Sequence, residues 1–228
     1  MRYIIVGLGS FGSSLAVKLI ELGNEVIGVD MNMDKVNRMK DKITHAICLN
    51  ALDVDALTSL PLENTDAVIV CIRDDKGSNI MATATFKNLN VKRLIGRSLN
   101  PLHENVLQAI GVKEIMRPEE ESAERWAKRL VFKNIVDSYE LNNNYSIVEV
   151  VVPSDLVGKS ILEIGFRNIF NILILTIIKN KEVYSYIGKT KVIPYVQGIP
   201  SPDTKLEEGD ILVVYGANKD INSFVKLK

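Results

Sequence analysis

Three glycines and one acid carry the clearest chemical signature in the sequence. Gly7-Leu8-Gly9-Ser10-Phe11-Gly12 breaks the apolar run of residues 1–6 and opens residues 13–22, where apolar side chains recur at helical spacing. A strand that enters a glycine turn and then a helix brings backbone N–H groups to the helix N-terminus, where phosphate binds. Asp30 stands eighteen residues beyond Gly12 and closes a second apolar run, Val26-Ile27-Gly28-Val29. A carboxylate at that register can accept both hydroxyls of an adenine ribose. The glycines alone would also fit a plain strand–helix turn; the acid in register favours a nucleotide.

Side chains that could make or break bonds are sparse. A nicotinamide-dependent oxidoreductase is the rival reading, because the same fingerprint serves that chemistry. Such an enzyme needs an acid or base against its substrate. His45, just before an apolar run, and His103, at a helix start after Pro101, both read as structural. Tyr215 and Lys219 have the Tyr-x-x-x-Lys spacing of short-chain dehydrogenases, yet Gly216 interrupts the helix that pair requires. No Gly-Lys-Ser/Thr follows the glycine turn, so P-loop hydrolysis is not expected. Cys48 and Cys71 lack Cys or His neighbours at metal spacing and read as reduced core thiols of a cytosolic protein.

Lys plus Arg and Asp plus Glu both number 28, so no basic excess favours nucleic acid or an anionic membrane surface. With 228 residues, 46% of them apolar, the chain can build one large core, or a medium and a small one. Its longest greasy stretch, residues 169–178, contains Asn171 and is far shorter than a membrane span. The expectation is a soluble protein without a signal peptide.

The elements that must hold the glycines and Asp30 follow from periodicity. Further apolar runs lie at residues 46–49, 66–72, 93–95 and 113–116, separated by helical stretches at 35–41, 54–60, 77–90 and 100–110. Six strands alternating with helices predict an α/β fold, a Rossmann-like doubly wound parallel sheet. From Glu119 the pattern changes, and Ala123, Trp126, Ala127, Leu130 and Val131 line one face of a helix. Two placements fit that face: packing outside its own domain, or packing on its own core. Asn142-Asn143-Asn144 reads as a polar turn and a domain boundary. Beyond it, strands at 145–152, 172–178, 182–187 and 211–215 and a helix at 218–225 make a small α+β module.

Several stretches together resemble the RCK (regulator of potassium conductance) proteins, the cytosolic regulatory subunits of Ktr/Trk-type potassium transporters. They are Val6 with the glycine turn, Val29-Asp30-Met31-Asn32 with Lys35-Val36, Asn50-Ala51, Gly96-Arg97, Asn100-Pro101-Leu102-His103, Gly111 and Arg117-Pro118-Glu119. Residues 156–163 and 206–216 extend the likeness, and the single pair of lobes is similar to the Ktr type. The resemblance implies a nucleotide-binding lobe at 1–118, a dimerising crossover helix and linker at 119–143, and a C-terminal lobe at 144–228. It implies a gating protein rather than an enzyme, one that binds ATP or ADP, with NAD(H) as an alternative. It further implies a homodimer, assembled into an octameric ring on a separate membrane pore subunit at the cytoplasmic face of the membrane.

By position, the resemblance puts Gly7, Gly9, Ser10, Phe11 and Gly12 near the phosphates, and Asp30, Met31, Asn32 and Lys35 at the ribose. Asn50 and Ala51 border the adenine, Cys71 and Ile72 close the mouth, and Arg97 lies near the phosphates. Glu119 matches an acid that helps hold Mg2+ or Ca2+ beside the terminal phosphate. Ile164, Arg167, Asn168, Ile172 and Pro194 are counterparts of a cyclic di-AMP site in some relatives. One departure stands out: relatives that prefer ATP carry Arg where this chain has Ser10, and Ser10 offers no charge to a phosphate.

Overall fold

A computed structural model describes residues 1–132, 134–184 and 190–227. The chain divides into two compact units, Met1–Glu121 and Ser122–Lys228. In the first, β1 (Arg2–Val6), β2 (Glu25–Asp30), β3 (His45–Cys48), β4 (Ala67–Val70), β5 (Leu94–Arg97) and β6 (Glu114–Met116) pair in parallel. Their order is β3-β2-β1-β4-β5-β6, the Rossmann arrangement expected from the alternating pattern. The helices between them are α1 (Ser10–Glu21), α2 (Met33–Met39), α3 (Val54–Thr58), α4 (Lys76–Asn88) and α5 (Pro101–Ala109).

The sheet is covered on both faces, which explains its nearly unbroken apolar strands. Ile4 and Val6 pack with Val68, Val70, Leu57 and Phe86 on one face, while Ile5 packs with Ile69, Ala16, Val36 and Met39 on the other. Alternate residues of each strand thus feed two separate cores. All six strands run the same way, so all their C-terminal ends lie along one edge. The strand order reverses between β1 and β4, and a crevice opens there.

α6 (Pro118–Val131) begins in the first unit and ends in the second. On its apolar face Trp126, Leu130 and Val131 are all exposed. The second unit holds an antiparallel sheet in the order β10-β9-β11-β8-β7, built from β7 (Ile135–Asn142), β8 (Tyr145–Val151), β9 (Ile172–Tyr184), β10 (Thr190–Val196) and β11 (Ile211–Ala217). The short α7 (Ile161–Ile164) and α8 (Phe166–Ile169) and the terminal α9 (Asn218–Phe224) complete it. Phe166, Phe170 and Phe224 pack edge-on or tilted at centroid separations of 5.3–6.2 Å at its core.

Four expectations change here. The stretch read as a linker, 135–142, is strand β7, and the polar turn Asn142-Asn143-Asn144 joins β7 to β8 as a hairpin instead of parting two domains. The pattern is hard to see because only Ile135 of β7 is buried and its pairing carries two irregularities. The separate strand expected at 182–187 is, as far as Tyr184, the end of the long β9; residues 185–187 lie outside the described ones. Its partner β10 has no counterpart among the strands expected from the sequence, and it contains Pro194, which an interior strand would not accept. Pro194 is tolerated because β10 is the sheet's edge and needs hydrogen bonds on one side only. Cys48 is exposed at the end of β3, while Cys71 is buried.

Candidate functional site

The C-terminal edge of the parallel sheet opens into a cleft of about 720 Å³. Each wall has a local cause. Gly7 adopts φ +99° with its Cα against the backbone of Ile72, where a Cβ would meet the Ile72 nitrogen at 2.9 Å. Gly9 caps α1 with no side-chain hydrogen bond, and a Cβ built on it touches nothing within 4 Å. Among the described residues the first N–H groups of α1 have no side-chain cap. Helix dipole and free donors together make this turn an anion site.

Asp30 ends β2 on the adjoining strand. It is 8% exposed, and its carboxylate accepts from the Leu8 N–H at 2.8 Å and from the Asn32 N–H at 2.9 Å. Lys35 Nζ stands 3.7 Å from the same carboxylate. Each oxygen keeps lone pairs beyond these contacts, enough for two hydroxyl donors. The backbone contacts fix the carboxylate in position before any ligand arrives.

The cleft gathers most of the residues expected from the sequence. Gly7, Gly9, Ser10 and Phe11 line its floor, Asp30, Met31 and Lys35 one side, Asn50 and Ala51 the far end, and Cys71, Ile72 and Arg97 the other side. Two expected residues lie elsewhere. Gly12 is buried under the turn, where a Cβ would sit 2.0 Å from the Gly7 carbonyl oxygen and 3.2 Å from Cys71 Cβ. Its part is close packing of α1 on the sheet. Asn32 instead caps α2, its side chain accepting from the N–H groups of Asp34 and Lys35.

The side near β4 and β5 is cationic. Arg97 is 4% exposed, donates to the Cys71 carbonyl at 3.2 Å, and lies 5.1 Å over the Phe11 ring. It also donates to Glu119, while its Nε has no partner among the described residues. Arg73, which the sequence reading did not single out, lines the cleft and approaches Glu119 Oε1 at 3.8 Å. A cation directly after the fourth apolar run was the signal that could have found it. Burial opposes ionisation of Glu119, but the hydrogen bond and charge of Arg97, with Arg73 beyond, outweigh it and hold its carboxyl below the usual range. Glu119 thus faces two guanidinium groups, and among the described residues no trio of His, Cys, Asp or Glu converges.

The residues named by analogy with a cyclic di-AMP site divide between core and surface. Ile164 and Ile172 are core residues, while Arg167, Asn168 and Pro194 are exposed. The small cleft of the second unit, about 140 Å³, contains none of them. His103 is also no catalytic base in the open: it is buried, its Nδ1 accepts from the Leu99 N–H, and burial, then the charge of Lys76, lowers its pKa. Tyr215 lies in β11 and Lys219 in α9, so the pair shares no helix.

Among the described residues no helix is long and apolar enough to cross a membrane. Residues 3–118 match the TrkA-N domain family model. The Ktr system potassium uptake protein C of Bacillus subtilis is 35% identical over 225 residues, which cover 99% of this chain and 96% of that protein. Protein A of the same organism's Ktr system is 31% identical, over 98% of this chain and 95% of that one. Among solved structures, the GsuK RCK domain matches with a TM-score of 0.52 at 20% identity, over 98% of this chain and 45% of the other. The GsuK channel bound to NAD gives 0.52 at 19% identity, over 98% and 37%. This chain spans less than half of either solved chain, and likeness at that identity shows the fold. With a TrkA-N domain over its first half and likeness at 35% and 31% identity along nearly all of its length, the chain belongs to the family of Ktr-system potassium uptake proteins A and C.

Proposed function

We propose that this chain is a nucleotide-binding regulatory subunit of a potassium uptake system, a gating protein rather than an enzyme. The carrying observation is a cleft that pairs a prepositioned acid, Asp30, with an uncapped helix N-terminus, in a chain alike to Ktr proteins from end to end. Asp30 accepts the ribose hydroxyls, the N–H groups at Ser10 and Phe11 donate to phosphate oxygens, and Asn50 and Ala51 border the base. ATP or ADP is the ligand class, with NAD(H) the alternative; the GsuK fold has been solved with NAD and with ADP.

Residues 1–118 then form the sensing lobe. The exposed face of Trp126, Leu130 and Val131 on α6 is the surface for a second copy, with α6 joining the sensing lobe to the C-terminal lobe, whose sheet begins at β7. Copies assemble as a ring on a separate membrane pore subunit at the cytoplasmic face. A ligand changes such a ring only through unequal affinity for two of its states, so binding is required and turnover is not. Calorimetric titration with ATP, ADP, NADH and cyclic di-AMP tests this. Binding of ATP or ADP without turnover supports the reading, and binding of NADH alone with a reducible substrate returns the oxidoreductase. Cyclic di-AMP binding would locate a second site, with Ile164, Arg167, Asn168, Ile172 and Pro194 as its candidate residues.

A further inference from the structure

We infer that α6 is seated on the second unit by an ionic clasp over a polar gap, so that ionic strength, without any ligand, sets how tightly the helix is held. The inference goes beyond the nucleotide reading above and does not depend on it.

A surface helix ordinarily settles on a sheet by burying an apolar stripe. α6 does the reverse. None of its residues is buried, and Trp126, Leu130 and Val131 on its apolar face are exposed. Its charged residues meet β7 instead. Arg125 Nε lies 3.4 Å from Asp137 Oδ1, and Lys128 donates to Glu140 while its Nζ stands 3.3 Å from Glu124 Oε1. The hydrogen bond from Lys128 outweighs burial and, helped by Glu124, holds the Glu140 carboxyl below the usual range.

Beside these pairs the helix stands off the sheet. The cleft of about 140 Å³ is lined by Lys128 and Phe132 on one side and by Ser138, Glu140 and Ser146 on the other. A gap of that size with hydroxyl and carboxylate walls has room and partners for water. Phe132, one residue past α6, packs against the core and marks where the seat ends.

The five paired side chains are 27–55% exposed. Salt screens such pairs, because the Debye length shrinks from about 10 Å at 0.1 M to about 3 Å at 1 M. A seat made by apolar burial has no charge to screen. α6 begins in the first unit and ends in the second, so salt that loosens the seat frees that connection. In a family of potassium uptake proteins the accumulated cation itself supplies the screening. A helix of 14 residues released from its seat also frays, since that length is marginal in water.

The test is hydrogen–deuterium exchange on the full chain at 50 and 500 mM salt, read at the amides of α6 and of β1 and β4. Exchange over residues 122–131 should be about three- to tenfold faster at 500 mM, in NaCl as in KCl. The β1 and β4 amides should not change, and sucrose of equal osmolality should have no effect. Arg125→Asp should exchange fast already at 50 mM, and adding Asp137→Arg to it should restore slow exchange together with its salt dependence. Both side chains are about half exposed, so both variants should fold. Equal α6 exchange at the two salt concentrations, equal acceleration by sucrose, or a double variant no slower than Arg125→Asp would overturn the clasp. Acceleration by KCl but not by NaCl would also overturn it, in favour of a specifically bound ion. None of these outcomes bears on nucleotide binding, which belongs to the other unit.

Discussion

The two units use the same raw material, apolar strands with polar residues at their ends, and make clefts of very different size from it, about 720 Å³ against about 140 Å³. In the parallel sheet every strand finishes on the same edge, so Asp30, Cys71 and Arg97, at or just past the ends of three different strands, converge on one crevice. In the antiparallel sheet neighbouring strands finish on opposite edges, and polar ends are dispersed. Arg167 and Asn168, adjacent in α8, and Pro194 in β10 are exposed, while Ile164 and Ile172 serve the core of the second unit. Strand direction decides whether a fold gathers chemistry or spreads it.

Breaking the gathered end should have the largest effect. Asp30→Ala removes the acceptor for the ribose, and losing two charge-assisted hydrogen bonds, about 3 kcal/mol together, should weaken every adenine nucleotide by roughly a hundredfold. Arg167→Ala, in the dispersed unit, should leave those affinities unchanged. Calorimetry reads both, and retained binding by the Asp30 variant would move the pocket elsewhere.

Backbone closeness separates the units next. Gly12→Ala places a methyl group 2.0 Å from the Gly7 carbonyl oxygen, and overpacking of this kind should cost roughly 2–3 kcal/mol in urea unfolding. Gly158, with φ +85° but nothing near a built Cβ, should lose only about 1–2 kcal/mol as Ala, the strain of a left-handed residue. Equal losses would mean that α1 does not need its close approach to the sheet.

The smallest effect concerns the two thiols of the first unit. Burial pushes the Cys71 thiol up to about 12 from 9.0, against the opposing charge of Arg97, whereas Cys48 is exposed. A thiol reagent at pH 8 should label Cys48 and spare Cys71 until the chain unfolds. Because the folded pKa is the higher one, the stabilisation from a neutral Cys71 is complete below pH 9.0 and is lost as pH rises toward 12. Equal labelling of the two thiols in the native protein would show that the Cys71 side of the cleft opens to solvent.

Much of the first unit was legible because its signals are local. A strand covered on both faces reads as an unbroken apolar run, and a glycine turn with an acid eighteen residues on needs no knowledge of the rest of the chain. The second unit hid two strands from the same reading. β7 buries one end only, and β10 carries a proline that an edge position forgives. Gly12 and Asn32 belong to the legible pattern, yet the structure assigns them to packing and capping.

The amino-acid sequence by itself determined the alternation of strand and helix, the turn at Gly7 and Gly9, and the register of Asp30, since each depends on neighbours within a few residues or on a fixed spacing. Tertiary structure alone decided that Arg97 meets Glu119 across 22 residues, that Arg73 joins them, and that Ile164 and Ile172 are interior. Those outcomes depend on which strand lies beside which and on where solvent is excluded, and no local period or motif encodes either.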